Sequence, residues 1–442
     1  MKCKDANEVL KVVQKKKVKF IQLWFTDILG FLKTVSITIR ELPETLESGM
    51  GFDGSSIEGF ARIEESDMIA KPDPTTFHIL PWRPSRQVVG RMFCDILTPE
   101  GTPYEGDPRY VLKRNLEKAA KIGFTCYLGP ELEYFYFKNP KGVELLDRAG
   151  YFDISPVDMA KDLRSKTVTT LERMGIPMEC SHHEVAPSQH ELDFKFQDAL
   201  TTADNVITYR LVTKEVARRH GIYATFMPKP ISGINGSGMH THQSLFKGKK
   251  NAFFNPKDKY HLSKIGKKFL AGLLRHSREI TSVTNQWVNS YKRLIPGYEA
   301  PVYICWGQRN RSALVRVPHY KPGKEMATRL ELRSPDPSCN PYLAFSVMLA
   351  AGLKGIENNY PPMPPVEKDV YEMSSAERAK LGIKSLPEDL HEAIIETEKS
   401  SLVKESLGKH VFQQFIANKK IQWDEYCRQV TQYELKRYLP LL

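Results

Sequence analysis

Arg329-Leu330-Glu331-Leu332-Arg333-Ser334-Pro335-Asp336 is a strand pattern with its charges on one side. Successive side chains of an extended backbone point to opposite faces. Arg329, Glu331 and Arg333 therefore project together, while Leu330 and Leu332 face a core. The same alternation recurs in Glu131-Leu132-Glu133, in His240-Thr241-His242-Gln243-Ser244, and in Glu191-Leu192-Asp193-Phe194, seven residues after Glu184. Together these segments predict a sheet whose concave face carries carboxylates, one or two imidazoles and several arginines. Such a face reads as a metal and phosphate site.

The surrounding chain is that of an ordinary globular protein. Its 442 residues are 41% hydrophobic and 26% charged, enough to bury large cores in two or three domains. Met1-Lys2-Cys3-Lys4-Asp5 is followed by no apolar segment and does not read as a secretory signal. The run Tyr342 to Leu353 is too short to span a bilayer. Seven cysteines without a Cys-x-x-Cys pair read as buried thiols in a reducing cytoplasm. The net charge of +12 gathers at Lys15-Lys16-Lys17, Lys247-Gly248-Lys249-Lys250 and Lys267-Lys268. No nucleic-acid motif accompanies these lysines, so they read as solvated faces rather than a DNA or RNA surface.

Along the chain, Asp5 to Lys15 reads as a helix, and Val18 to Phe25 and Lys33 to Ile39 as strands. Thr98 to Pro108 is dense in turn formers and marks a domain boundary, placing one domain at 1–103 and a second at 104–442. Asp107-Pro108 opens a helix over Arg109 to Ile122 that Gly123 ends. Amphipathic patterns predict further helices over Val157 to Met174, Asp198 to His220, Leu262 to Thr284 and Asn340 to Asn358. The hinge Tyr360-Pro361-Pro362-Met363-Pro364-Pro365 precedes a helical tail from about Leu386 to Tyr438. Strand runs and helix runs without regular alternation indicate an α+β fold.

The candidate ligands are Glu131, Glu133, Glu184, Glu191, Glu331, His182, His183 and His240. Oxygen dominates this set, which favours Mg²⁺ or Mn²⁺ over a structural Zn²⁺. Five carboxylates can neutralise two or three divalent ions. Arg293, Arg311, Arg316, Arg329 and Arg333 supply guanidinia that bind carboxylate and phosphate bidentately. Divalent ions beside an arginine clamp suit phosphoryl transfer, where positioning and charge stabilisation do most of the catalysis. The chain has no Gly-x-x-x-x-Gly-Lys-[Ser/Thr] loop, and Gly233-Ile234-Asn235-Gly236-Ser237-Gly238 lacks the Rossmann spacing.

Six motifs, in order, resemble those of the type I glutamine synthetases over essentially the whole chain. They are Phe52-Asp53-Gly54-Ser55-Ser56, Gly129-Pro130-Glu131-Leu132-Glu133, His182-His183-Glu184-Val185-Ala186-Pro187, Asn235 to His242, Asn289 to Pro301, and Arg329 to Arg333. The resemblance implies a small N-terminal β-grasp domain and a larger catalytic domain with a curved antiparallel sheet. It also implies a homododecamer of two stacked hexameric rings, in which Asp53 serves the active site of a neighbouring chain. Small regulatory proteins are further partners that the resemblance admits.

Residue by residue, the resemblance implies one metal on Glu131, Glu184 and Glu191 and another on Glu133, His240 and Glu331. Glu179, His242, Ser244, Arg311 and Arg316 fall at ATP positions. Asn235, Gly236, Arg293, Glu299, Arg311 and Arg333 fall at glutamate and phosphoryl-transfer positions. Asp53, Glu299 and Arg311 carry the catalytic assignments, with Asp53 taking a proton from ammonium and Glu299 on a shielding flap. Gly59-Phe60-Ala61-Arg62-Ile63-Glu64-Glu65 resembles the feedback-inhibited subclass, which makes Arg62 a glutamine sensor. Tyr371 is followed by Glu372-Met373, not by the Asp-Leu of the adenylylated subclass. A relative that joins glutamate to a larger amine would tend to lose the ammonium pattern, whereas Asp53 and Ser56 are both present.

Overall fold

A computed structural model describes residues 3–59, 67–154 and 156–442, apart from the side chain of Ser85. Arg62 lies outside the described residues. Among them two sheets form, one of six strands and one of ten.

In the smaller sheet, Phe20–Thr26 lies between Leu32–Thr38, antiparallel, and Val89–Leu97, parallel; Asp67–Pro72 and Met50–Asp53 continue beyond. Alternation along Phe20–Thr26 shows why this sheet is covered on both faces. Ile21, Leu23 and Phe25 join a small core with Val9 and Val13 of the helix Ala6–Lys15. Trp24 points the other way, into the main core. The helix begins where Asp5 accepts the Glu8 N–H at 2.9 Å.

The larger sheet runs Tyr303–Gly307, Ala313–Arg316, Leu330–Leu332, Met239–Lys247, Thr125–Phe137, Gln189–Phe194, Met178–His183. Its pairings are antiparallel except at the edge, where Tyr303–Gly307 and Ala313–Arg316 run parallel. Helices Pro108–Lys121, Ala199–Arg219, Lys264–Thr284 and Pro341–Glu357 contribute to the core on its apolar side. The last two cross closely: a Cβ at Gly272 would stand 2.1 Å from the Ala351 carbonyl oxygen, and one at Gly355 2.1 Å from that of Lys268. Only glycine fits either position.

The α+β expectation holds, with differences at element ends. The helix expected from Val157 begins at Lys161. The Asp158 carboxylate takes the Ala160 N–H at 3.1 Å while pairing with Arg164, a local arrangement that competes with an earlier helical turn. Ser375–Lys380 forms a helix that the hydrophobic pattern did not reveal, closed by a capping box between Ser374 and Glu377. The tail is four helices: Leu390–Lys399, Ser401–Leu407, Lys409–Cys427 and Gln432–Tyr438. The cysteines depart from expectation: all seven are free, but Cys180 and Cys427 are exposed. No helix among the described residues is long and apolar enough to cross a membrane.

One guanidinium ties the two sheets together. Arg109, 3% exposed, reaches Asp73 at 2.8 Å and Asp95 at 2.6 Å beside the smaller sheet. On its other side it grips Asp204 of the helix Ala199–Arg219 with two bonds of 3.1 and 3.0 Å. Tyr342 donates its hydroxyl to the same Asp204 at 2.6 Å. Replacing Arg109 by Met leaves Asp204 buried and without its cation, a change that costs about 3–5 kcal/mol. The expected result is a correspondingly lower denaturant midpoint for Arg109→Met, with Arg109→Lys recovering only part, because an ammonium cannot reproduce the fork. An unchanged midpoint would contradict this role.

Candidate active site

Cross-strand register turns the separate charged segments into three rows on one face of the larger sheet. The first row is Cys180, Asp193, Glu131 and His240, each directly opposite the next. The second is His182, Glu191 and Glu133. The third is Gly129, His242, Glu331 and Arg316. Leu132, Leu192, Leu330 and Leu332 alternate with these residues and lie in the core behind them. The six carboxylate and imidazole positions expected to hold metal thus stand together, with Glu184 joining just after the strand Met178–His183.

The carboxylates on this face divide into two kinds. Glu331 is fully buried between Arg316 and Arg333, the latter at 2.7 Å. Burial opposes its charge, but His242, Arg333 and Arg316 outweigh it and hold the carboxyl at about 2. Burial likewise opposes the charge on Glu131, and the imidazoles of His242, at 2.7 Å, and His240, at 3.6 Å, hold it well below the usual range. Arg329 donates to His242 Nδ1 at 3.0 Å, and the other ring nitrogen, Nε2, faces Glu131.

The second kind lacks enough positive charge. Burial pushes Glu133 up to about 7 despite Arg293 and the Gly238 N–H, which it accepts at 2.8 Å. Burial and then Glu133 raise Glu184 to about 8. Burial and Glu131 raise Asp193 to about 7, and burial with Asp193 and Glu133 raises Glu191 well above its ordinary value. His182 stands 3.4 Å from Glu184 and 3.2 Å from Glu191, and burial lowers its imidazole below the ordinary range. Glu131, His242 and Glu331 offer ligand atoms within 4.8 Å of one another, as do His182, Glu184 and Glu191. Hard oxygen donors in mutual repulsion fit a divalent cation, which would take the place of the protons.

Cavities adjoin the rows. One of about 380 Å³ is lined by Gly129, Glu179, Phe196, His242, Ser244 and Arg329. A narrow one brings Glu133, Glu184 and His240 against Asn235, Gly236, Arg293, Glu299 and Arg333. A third, of about 480 Å³, is lined by Glu299 and Arg311. Arg316 is engaged with Glu331 rather than with the first cavity. Arg293 serves three backbone carbonyls: Ser334 at 2.6 Å, Arg333 at 3.1 Å and Pro335 at 3.3 Å. Its charge therefore fixes the chain that carries Arg333. Glu299 has a left-handed backbone, φ 56°, and accepts from Asn235 at 3.2 Å. Beside it, Lys229 stands 3.9 Å from the Tyr298 ring centroid, and the Tyr371 hydroxyl donates to the Ala300 carbonyl at 2.6 Å. Asp53 ends the strand Met50–Asp53 of the other sheet, where it accepts the Ser55 N–H at 2.8 Å.

Two neighbours of the cluster were missed in the sequence, whereas Asp193, placed on the face by its spacing from Glu191, was only left out of the candidate ligands. Cys180 precedes His182 by two residues on the same strand, and this too was readable. Gln189, which donates to Glu133 at 2.9 Å and to the Gly236 carbonyl at 3.1 Å, gave no signal beyond its spacing.

Residues 17–99 match the family model described as the glutamine synthetase β-grasp domain, and residues 105–438 match the glutamine synthetase catalytic domain. A glutamine synthetase of Methanosarcina mazei is 52% identical, covering 100% of this chain and 99% of the relative. One of Thermus thermophilus is 51% identical over 98% of both chains. Among solved structures, Plasmodium falciparum glutamine synthetase superposes with a TM-score of 0.91 at 25% identity, covering 99% of both chains. A structure titled a GmaS/ADP complex gives 0.89 at 32% identity, covering 98% of this chain and 99% of that one.

Glu133, Glu184 and Asp193 hold their protons more tightly in the folded chain than in the unfolded one. The stability they contribute is therefore complete below the ordinary carboxylate range and is lost as pH rises through about 7 to 8. With divalent ions chelated, the melting temperature should fall between roughly pH 5 and pH 8. Saturating Mg²⁺ should flatten that fall, and calorimetry in buffers of different ionisation enthalpy should show protons released on binding. A melting temperature that rises through this window would contradict the assignment.

Proposed function

This chain belongs to the glutamine synthetase family and is an ATP- and metal-dependent glutamate–ammonia ligase, and we propose that the three charged rows and their cavities are where it makes glutamine. The observation that carries this reading is the buried face on which Glu331, paired with two arginines, and Glu131, paired with two imidazoles, stand beside carboxylates that need a cation. The metal would be Mg²⁺ or Mn²⁺, two or three per site, one held by Glu133, Glu184 and Glu191 and another by Glu131, His240 and Glu331, a regrouping of the sequence expectation that rests on Glu133 facing Glu191 across the ladder and on His240 standing 3.6 Å from Glu131 and 3.8 Å from Glu331. When bound, such ions neutralise phosphate oxygens and polarise the transferred phosphoryl group.

The side chains then divide the remaining work. Glu179, His242 and Ser244 hold ATP in the cavity of about 380 Å³, and Arg311 and Arg316 are assigned to its phosphates. Asn235, Gly236, Glu299, Arg311 and Arg333 hold glutamate, and Arg293 keeps the Arg333 segment in place. The γ-carboxylate of glutamate attacks the γ-phosphorus of ATP, ADP leaves, and γ-glutamyl phosphate forms. Asp53 of a neighbouring subunit takes a proton from ammonium. Ammonia then attacks the acyl carbon and phosphate departs. Glu299, latched to Asn235, keeps water from the acyl phosphate.

The reading extends to assembly and control. Val430, Tyr433, Leu439, Leu441 and Leu442 are exposed at the C-terminal tail, 68% or more each, an apolar surface suited to joining two stacked hexameric rings. The β-grasp unit ends at 103 and the catalytic unit begins at 104. Arg62 serves glutamine feedback by resemblance alone. The unpaired cysteines suit a reducing cytoplasm.

The direct test is ATP-, glutamate- and ammonium-dependent glutamine formation, run beside a panel of larger amines and with mass photometry of the assembly. Preference for a larger amine, or a monomer, would overturn the corresponding part. Asp53→Asn keeps an acceptor for the Ser55 N–H but cannot take a proton. It should lower glutamine synthesis by about 100-fold or more while ATP affinity persists. Near-normal synthesis would remove Asp53 from the mechanism.

A further inference from the structure

The first row of the charged face ends in a thiol. Cys180 and His182 are two residues apart on the strand Met178–His183, so they share a face, and Asp193 stands directly across the ladder from Cys180. The Cys180 thiol donates to Asp193 Oδ2 at 2.6 Å. One ligand atom from each of Cys180, His182 and Asp193 lies within 4.8 Å of the other two. Asp193 Oδ1 is buried and has no hydrogen-bond partner. Cys180 is exposed, so an ion reaches it without opening the core.

We propose that Cys180, His182 and Asp193 form a separate cation site on the rim of the carboxylate face, one that selects a soft divalent ion of the Zn²⁺ or Cd²⁺ type and inhibits the enzyme when filled. Sulfur, nitrogen and oxygen donors in one small cluster match zinc, with a fourth tetrahedral position left for water. Mg²⁺ prefers oxygen and avoids thiolate, so the same face separates two classes of ion by donor type. Binding forms a metal–sulfur bond and releases the thiol proton to solvent, with no change of oxidation state. Inhibition follows from position. His182 also neighbours Glu184 and Glu191, and Asp193 faces Glu131 across the ladder. An ion that claims His182 and Asp193 alters the charge and geometry of both adjoining rows.

The test uses the full-length protein in excess Mg²⁺. Titration with Co²⁺ should give the near-ultraviolet thiolate-to-cobalt absorption in the wild type and in Cys427→Ala, which removes the other exposed thiol. Neither Cys180→Ala nor Cys180→Ser should show it. Zn²⁺ should displace the band and inhibit glutamine formation. In Cys180→Ala the Zn²⁺ needed for half-inhibition, relative to that variant's own uninhibited rate, should rise more than about 100-fold, beyond the cost of losing an outer-shell partner. A wild type without the band, a band that survives Cys180→Ala, or equal half-inhibition in the two proteins overturns the proposal. In the last case zinc acts at the carboxylates. The absorption arm needs no catalysis, so its outcome is independent of the activity assigned above.

Discussion

Mutual repulsion among buried carboxylates is the constraint to which the rest of this molecule answers. Burial raises the carboxyls of Glu133, Glu184, Glu191 and Asp193, and neighbouring carboxylates, such as Glu133 beside Glu184 and Asp193 beside Glu191, raise them further where charge is poorly screened. Such a face does not assemble by its own attraction. It is held by the apolar side of the same strands, where Leu132, Leu192, Leu330 and Leu332 enter one continuous core. A strand that slipped by one residue would exchange those leucines for the charges. Hydrophobic burial thus fixes the register, and the register sets the spacing of the rows.

The arginines show two different uses of a permanent charge. Arg316 and Arg333 keep Glu331 ionised and oriented. Arg293 is spent on carbonyl oxygens and shapes the backbone around Arg333. Burial disfavours its charge, so its place is explained by the three bonds it makes rather than by attraction alone. Removing Arg293 would therefore free the backbone that carries Arg333, not merely delete a contact.

Alternation along single strands was legible in the sequence because it is local: Glu131 and Glu133, or His240 and His242, declare a common face by spacing. The rows were not legible. Nothing in the interval between Glu131 and Asp193 states that the two stand opposite each other, since register depends on the packing of the finished sheet. Helix starts at Asp107-Pro108 and Asn340-Pro341 were readable from their caps. The helix Ser375–Lys380 carried a readable capping box, but it is short and buries no residue, so no apolar stripe announced it. Cys180 was missed because the cysteines were read as a group rather than strand by strand. The commitment of Arg293 to carbonyls forty residues away could be seen only in three dimensions.

Arg109 gives the assembly a mechanical character. It clamps the smaller sheet to Asp204 on the helix Ala199–Arg219. Five residues further along that helix, the Tyr209 hydroxyl holds the carbonyl of Leu132, the residue between Glu131 and Glu133. In the proposed ring the smaller sheet presents Asp53 to the neighbouring site. Tilting that sheet would then pull on the strand that carries Glu131 and Glu133. A ring closed by such subunits would be a series of stiff links, with little play between one proposed site and the next.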